Sequence, residues 1–148
     1  MCWVATWQRD LAETYLKPFE TALLPLEKGG GGAQAVMCSY SSVNGTPSCA
    51  NPYFMQTLMR ETWGCKDCYV ESDCTAVAKL VGGHHYAPDP GTAARLAVEA
   101  GLDIVCDANN MTGHVMDENA AGRLTIQRYV FYYLEFSVHF SRFILVDS

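Results

Sequence analysis

The residues first placed to do chemistry are a phenol and two carboxylates that end short apolar runs. Tyr40 closes the run at 35–40, Asp73 closes 69–73, and Asp107 follows 102–106. If those runs are parallel strands, all three groups emerge at carboxyl ends, where loops of parallel α/β folds collect reactive side chains. A hydroxyl and two carboxylates converging on one pocket are the groups of acid–base and nucleophilic chemistry. Each also has a plainer role: Asp73 suits the N-cap of a helix beginning near Thr75, Asp107 a solvated loop, and Tyr40 the core. Met37 by type is a packing residue.

Cysteine is the other chemically rich type. The chain carries seven, Cys2, Cys38, Cys49, Cys65, Cys68, Cys74 and Cys106. Such usage points to an oxidising compartment or to a metal. Cys65-x-x-Cys68, then Cys74 and His84-His85, offers thiolates and imidazoles of the kind that hold zinc, but no second closely spaced pair completes a site. Cys38 and Cys49 flank a turn-rich loop and can close it as a disulfide. Sequence does not fix the pairing, and an odd count leaves at least one thiol without an intrachain partner.

The positioning elements follow from punctuation. Residues 8–16 read as helix, Pro18 interrupts, and 19–26 resume. Gly29 to Gly32 make a turn into an apolar strand at 35–40, which reads as buried on both faces and leads into a polar loop at 41–48. Asn51-Pro52 starts a helix whose apolar face is Phe54, Met55, Leu58 and Met59, ending before Gly64. Residues 69–73 form a second strand. Asp89-Pro90 opens another helix, Gly101 closes it, and 102–106 form a third strand.

Strand, helix, strand, helix, strand at intervals of about thirty residues is the pattern of βαβ units, so the fold class is α/β. A closed eightfold barrel needs about 200 to 250 residues. The 148 residues here supply three strands, either a small open sheet or a piece of something larger. The aromatic stretch at 128–145 needs a partner surface and is expected to be a buried helix.

Composition narrows the partners. The chain is 49% hydrophobic and 18% charged, with a net charge of −6, so it belongs to the globular class. Without a dense Lys/Arg run it has no footprint for phosphate backbones or anionic lipid, so no nucleic acid and no membrane partner is expected. It has no uninterrupted apolar run of spanning length, and its first residues lack the pattern of a secretion signal.

The residues then resemble a known family. Val36-Met37-Cys38-Ser39-Tyr40-Ser41-Ser42-Val43-Asn44-Gly45-Thr46-Pro47-Ser48-Cys49-Ala50-Asn51-Pro52, Arg60, Trp63-Gly64 and Ser72-Asp73-Cys74 together resemble glycoside hydrolase family 3. Arg9-Asp10-Leu11, Glu13-Thr14-Tyr15-Leu16 and Pro18-Phe19-Glu20 resemble its fungal and plant β-xylosidase branch. The match runs in order over 9–106, while 108–148 diverge apart from Gly122-Arg123-Leu124-Thr125.

The resemblance implies that 1–148 are a fragment of an N-terminal (β/α)8 barrel domain, with its three strands the last three. It implies a retaining glycosidase of β-xylosidase type, secreted, needing no cofactor and no metal, acting on xylo-oligosaccharides. Asp73 would be the nucleophile forming a covalent glycosyl-enzyme. Met37, Tyr40 and Cys74 would line the sugar subsite, with cysteine at position 74 typical of the xylosidase branch. Asn44 and Asn110 both sit in N-x-Thr sequons, and Asn110 is the better glycosylation candidate because Asn44 would lie in the active-site loop.

Three residues depart from the family pattern, Ser41, Glu71 and Thr75. Glu71 sets a second carboxylate two residues from Asp73 on the same side of a strand. Glu71→Ser in a full-length context is therefore expected to leave activity undiminished. No residue matches the family's general acid/base glutamate, and retaining chemistry needs two carboxyl groups about 5 to 5.5 Å apart. The isolated chain is expected to be inactive on unactivated xylosides, its missing barrel half and C-terminal domain belonging to a parent enzyme. Other readings are an α-L-arabinofuranosidase or β-glucosidase, a catalytically dead truncated product, a carbohydrate-binding remnant, or a metal-binding cysteine module.

Overall fold

Asn51-Pro52 and Asp89-Pro90 each start a helix by the mechanism their sequence suggests. The Asn51 side chain accepts from the amides of Tyr53 and Phe54, at 3.1 and 3.4 Å, and Asp89 accepts from the Thr92 amide at 2.8 Å. Proline loses nothing at a first-turn position whose N–H has no intrahelical acceptor. The structure, a computed structural model, describes residues 3–106, 109–125 and 131–133.

In chain order the elements are β1 (Trp3–Val4), α1 (Gln8–Asp10), a wide turn at Leu11–Tyr15, α2 (Lys17–Leu23), β2 (Ala35–Cys38), β3 (Ser42–Val43), β4 (Thr46–Pro47), the helix Tyr53–Thr62, β5 (Tyr69–Ser72), α3 (Lys79–Gly82), α4 (Pro90–Ala100), β6 (Ile104–Cys106), α5 (Met111–Ala120) and β7 (Phe131–Tyr133). The helical break falls beside Pro18: the Leu16 amide reaches back five residues to the Leu11 carbonyl, and α2 begins one residue later. The helix Tyr53–Thr62 uses the same wide i→i+5 pattern. Gly101 ends α4 at φ 112°, as expected of a glycine at that position.

The three expected strands lie side by side in a parallel sheet, which confirms the α/β class, and its order is β2-β5-β6-β7. Two expectations need correction. The aromatic stretch is not helical at 131–133: Phe131, Tyr132 and Tyr133 pair in parallel with Ile104, Val105 and Cys106, in keeping with the strand preference of aromatic side chains. The rest of 128–145 lies outside the described residues. Strand β2 is not buried on both faces, since of its four residues only Cys38 is buried and Met37 is 57% exposed. It stands at an edge of the sheet and packs helices on one side only, which leaves Ala35 and Met37 on the open face.

The loop at 41–48 contains an unexpected hairpin. β3 and β4 pair antiparallel around Asn44-Gly45, both at positive φ (50° and 86°), and β1 joins β3 in parallel. Asn-Gly is the favoured pair for such a two-residue turn.

The core lies between the sheet and its helices. Met55 and Met59 from the expected apolar face pack with Val70, Leu80, Ala97 and Val105. Helix α4 turns Ala93, Ala94, Ala97 and Ala100 inward, all at or below 4% exposure, and these small side chains allow α5 and residues 48–50 to pack closely. Arg60, also buried, ties several elements together. Its guanidinium donates to the carbonyls of Met55 (2.8 Å) and Gly101 (3.0 Å) and to Asp103 (2.6 Å), which also accepts from the Val70 amide at 2.8 Å.

Candidate active site

Strand alternation decides what reaches the open face of the sheet. Val70 and Ser72 point to the helices and are buried, so Glu71 points the other way, in register with Met37 on β2 and Ile104 on β6. Asp73 follows directly after β5, and its amide extends the ladder by donating to the Cys38 carbonyl at 3.0 Å. The end of β6 is pinned alongside, because the buried Ser72 hydroxyl accepts from the Cys106 amide at 2.9 Å.

The backbone of Asp73 is thus fixed while its carboxylate, half-buried, accepts no hydrogen bond from any described residue. The N-cap role open to it is not taken. The next helix, α3, starts only at Lys79, with Ala78 in the cap position, and Thr75 stands at φ 72°, outside helical geometry. An oriented, accessible carboxylate at a strand carboxyl end can accept from a ligand hydroxyl or attack an electrophilic carbon.

Tyr40 lies two residues beyond the end of β2, not at it, and reaches the same place by its side chain. Its hydroxyl donates to the Cys74 carbonyl at 2.6 Å, bridging the loop after β2 to the residue after Asp73. The main chain of Tyr40 is held in turn by His84, whose Nε2 lies 3.1 Å from the Tyr40 carbonyl oxygen. A carbonyl only accepts, so Nε2 carries the hydrogen. His84 is buried and its Nδ1 has no partner among the described residues. The sequence offers His84 as an imidazole beside the cysteines of a zinc set; its link to Tyr40 across 44 positions has no local signal.

The structure therefore brings Asp73, Tyr40 and Cys74 together and sets Met37 on the same sheet face, two strand positions back and one strand over. Tyr40 and Met37 remain exposed, at 42% and 57%. Asp107 lies outside the described residues. Asn110 is exposed at φ 56° just before α5, while Asn44 accepts from the Thr6 amide at 2.9 Å.

Three disulfides join Cys38 to Cys49, Cys65 to Cys68 and Cys74 to Cys106. The first closes the loop expected to be closed. The other two take the sulfurs of Cys65, Cys68 and Cys74 out of the zinc set that their spacing offered. The Cys74–Cys106 bond also clamps the residue after Asp73 to the end of β6.

Two carboxylates beside α4 and α5 are held down by their neighbours. The Thr92 amide and hydroxyl hold Asp89 below the usual carboxylate range, and the Arg123 guanidinium does the same for Glu118 while being raised by it.

A parallel sheet with a carboxylate and a phenol gathered at its strand carboxyl ends defines an α/β chain of the enzyme-like type. The chain belongs to glycosyl hydrolase family 3, the model of whose N-terminal domain matches residues 2–129. It is 41% identical over 119 residues to an exo-1,4-β-xylosidase, xlnD, of Aspergillus niger, which covers 80% of this chain and 14% of that protein. A probable xlnD exo-1,4-β-xylosidase of Aspergillus clavatus is 38% identical over 124 residues, with 82% and 15% covered. Among solved structures, an exo-β-xylosidase (XlnD) in complex with a xylobiose aziridine activity-based probe superposes with TM-score 0.73 at 36% identity, covering 82% of this chain and 15% of that one. A β-glucosidase from Erythrobacter marinus superposes with TM-score 0.63 at 28% identity, over 74% and 14% of the two chains. The chain thus spans about 15% of the length of these relatives.

Proposed function

We propose that this chain is the nucleophile-bearing segment of a retaining β-xylosidase that removes terminal β-xylosyl residues from xylo-oligosaccharides. One observation carries the reading: Asp73 presents a carboxylate free of hydrogen bonds from described residues, at a strand carboxyl end, on a backbone held by the Cys38 carbonyl. In this reading its ionised oxygen attacks the anomeric carbon and forms a glycosyl ester that water later opens. Tyr40, tied to the Cys74 carbonyl, fixes the wall beside the nucleophile; Met37 and Cys74 complete the sugar subsite.

The likeness to xylosidases, one of them solved with a xylobiose-derived probe, supports a pentoside over a hexoside. The similarity to a β-glucosidase keeps glucoside specificity as the second reading. In this reading β2, β5 and β6 are the last three strands of a (β/α)8 barrel, β7 pairs with β6 on the side where the barrel's first strand would close it, and the remaining strands would cover the open face bearing Met37 and Glu71. The general acid/base comes from another part of the full protein, since a lone nucleophile leaves the departing oxygen without a proton. Secretion and glycosylation of Asn110 belong to the same reading, which the cysteine content supports.

The test is a chimera in which residues 2–129 replace the matching segment of the Aspergillus niger relative. It is expected to hydrolyse an aryl β-xyloside, and Asp73→Asn is expected to abolish turnover with the fold intact by circular dichroism. A variant retaining half of the activity sinks the assignment.

A further inference from the structure

The Cys65–Cys68 bond lies away from this site, just before β5, whereas Asp73 follows the strand's other end. The four strand residues 69–72 lie between Cys68 and Asp73, which sets them roughly 16 Å apart along extended chain. The bond borders a solvent-open cavity of about 350 Å³, whose lining includes Leu26, Glu27, Gln34, Lys66 and Asp67 besides both cysteines. That volume is in the range of a small-molecule cleft.

Three features fit this bond to open and close in the folded chain. It spans three positions, against 11 for Cys38–Cys49 and 32 for Cys74–Cys106, so it constrains the unfolded chain least and contributes least to stability by that route. The turn does not depend on it: the Cys65 amide donates to the Met59 carbonyl (3.0 Å), the Cys68 amide to the Cys65 carbonyl (3.3 Å), and Arg60 to the Cys68 carbonyl (3.4 Å). Both sulfurs also face one acceptor, the Ala33 carbonyl oxygen, at 3.5 and 3.2 Å. A disulfide sulfur has no hydrogen to give, so these contacts become hydrogen bonds only in the dithiol. The reduced state thus has an acceptor waiting. Cys65 is half-buried and Cys68 only 4% exposed, which makes Cys65 the sulfur open to attack from the cavity.

We infer that Cys65 and Cys68 form a thiol–disulfide exchange site that takes a dithiol as its reaction partner. A thiolate of the dithiol attacks Cys65 Sγ, forms a mixed disulfide and releases Cys68 as a thiolate, which takes a proton. The second thiol of the partner, as thiolate, then attacks its own sulfur in the mixed disulfide. Cys65 leaves as a thiolate and is protonated, and the partner departs as a cyclic disulfide. Two electrons and two protons have passed to the chain.

The 148-residue chain is titrated with dithiothreitol under native conditions, acid-quenched, alkylated with N-ethylmaleimide and mapped by mass spectrometry. Cys65 and Cys68 are expected to label at about tenfold lower dithiol than Cys38 and Cys49, with far-UV circular dichroism unchanged. Reoxidation by oxidised dithiothreitol should restore the bond. Labelling of Cys65 and Cys68 only together with loss of the fold overturns the inference, as does their recovery as free thiols or in other pairings before reductant is added. The Cys65→Ser/Cys68→Ser variant separates exchange from a structural role: its urea midpoint should match that of the unreduced chain, and a large drop means that the bond holds the fold. Retention of zinc by the reduced chain through dialysis also overturns it, since the pair would then be a metal site.

Discussion

Arg60 shows how one side chain can serve three elements. Its guanidinium sits at 5% exposure, donating to backbone carbonyls of its own helix and of the α4 terminus and pairing with the equally buried Asp103. Removing the cation takes away the guanidinium that sits 2.6 Å from the buried Asp103 carboxylate, so Arg60→Ala is expected to cost about 3–5 kcal/mol. Urea unfolding of the chain measures this, and a loss below about 1 kcal/mol contradicts the described network. The contacts to Gly101 and Asp103 are not visible in sequence, because these partners stand 41 and 43 positions away. Asp73 was legible to a greater degree: its position after an apolar run gave its place at the strand end, and the Ser-Asp-Cys motif gave its candidate role. Its freedom from capping was not, since that turned on Thr75 adopting a left-handed conformation, which threonine rarely does.

At the scale of elements, most of the fold was readable where a single residue type does a single mechanical job. Asn51 and Asp89 cap, Pro52 and Pro90 follow, and Gly101 closes a helix in a conformation that costs other residues strain. The aromatic stretch was not readable, because its spacing fits neither helix nor strand and only pairing with β6 decides 131–133. The exposure of β2 was also hidden, since an apolar run reads alike whether or not both faces are covered. The Asp89 cap carries a pH dependence. Its carboxylate is held below the ordinary 3.8, so its contribution is complete above that value and is lost as pH falls through the lower folded value. Asp89→Ala should therefore lower the melting temperature near pH 7, with the gap to the parent closing in acid. A gap that stays constant from pH 7 to pH 2 contradicts the cap. Glu118, paired with Arg123, loses its contribution in the same direction.

For the whole molecule, the sheet has helices on one face and Met37, Tyr69 and Glu71 on the other, with Tyr40 exposed at its end. Met37 and Tyr69 are exposed there while Glu71 and Ile104 are half-buried, and among the described strands β2 leaves an edge available for pairing. Within the described residues no helix is long and apolar enough to cross a membrane. The isolated chain is expected to self-associate at micromolar concentration through this apolar surface, which light scattering coupled to gel filtration would record. A monodisperse monomer would mean that the open face is satisfied within the chain. Covering the same face is the role assigned to the rest of a barrel, and the catalytic account depends on it. The most direct test is therefore covalent: the chimera carrying residues 2–129 is incubated with an activated 2-fluoro-β-xyloside, digested and sequenced by mass spectrometry. The account predicts a fluoroxylosyl ester on Asp73. An adduct on Glu71, or none while the parent relative is labelled under the same conditions, would contradict it.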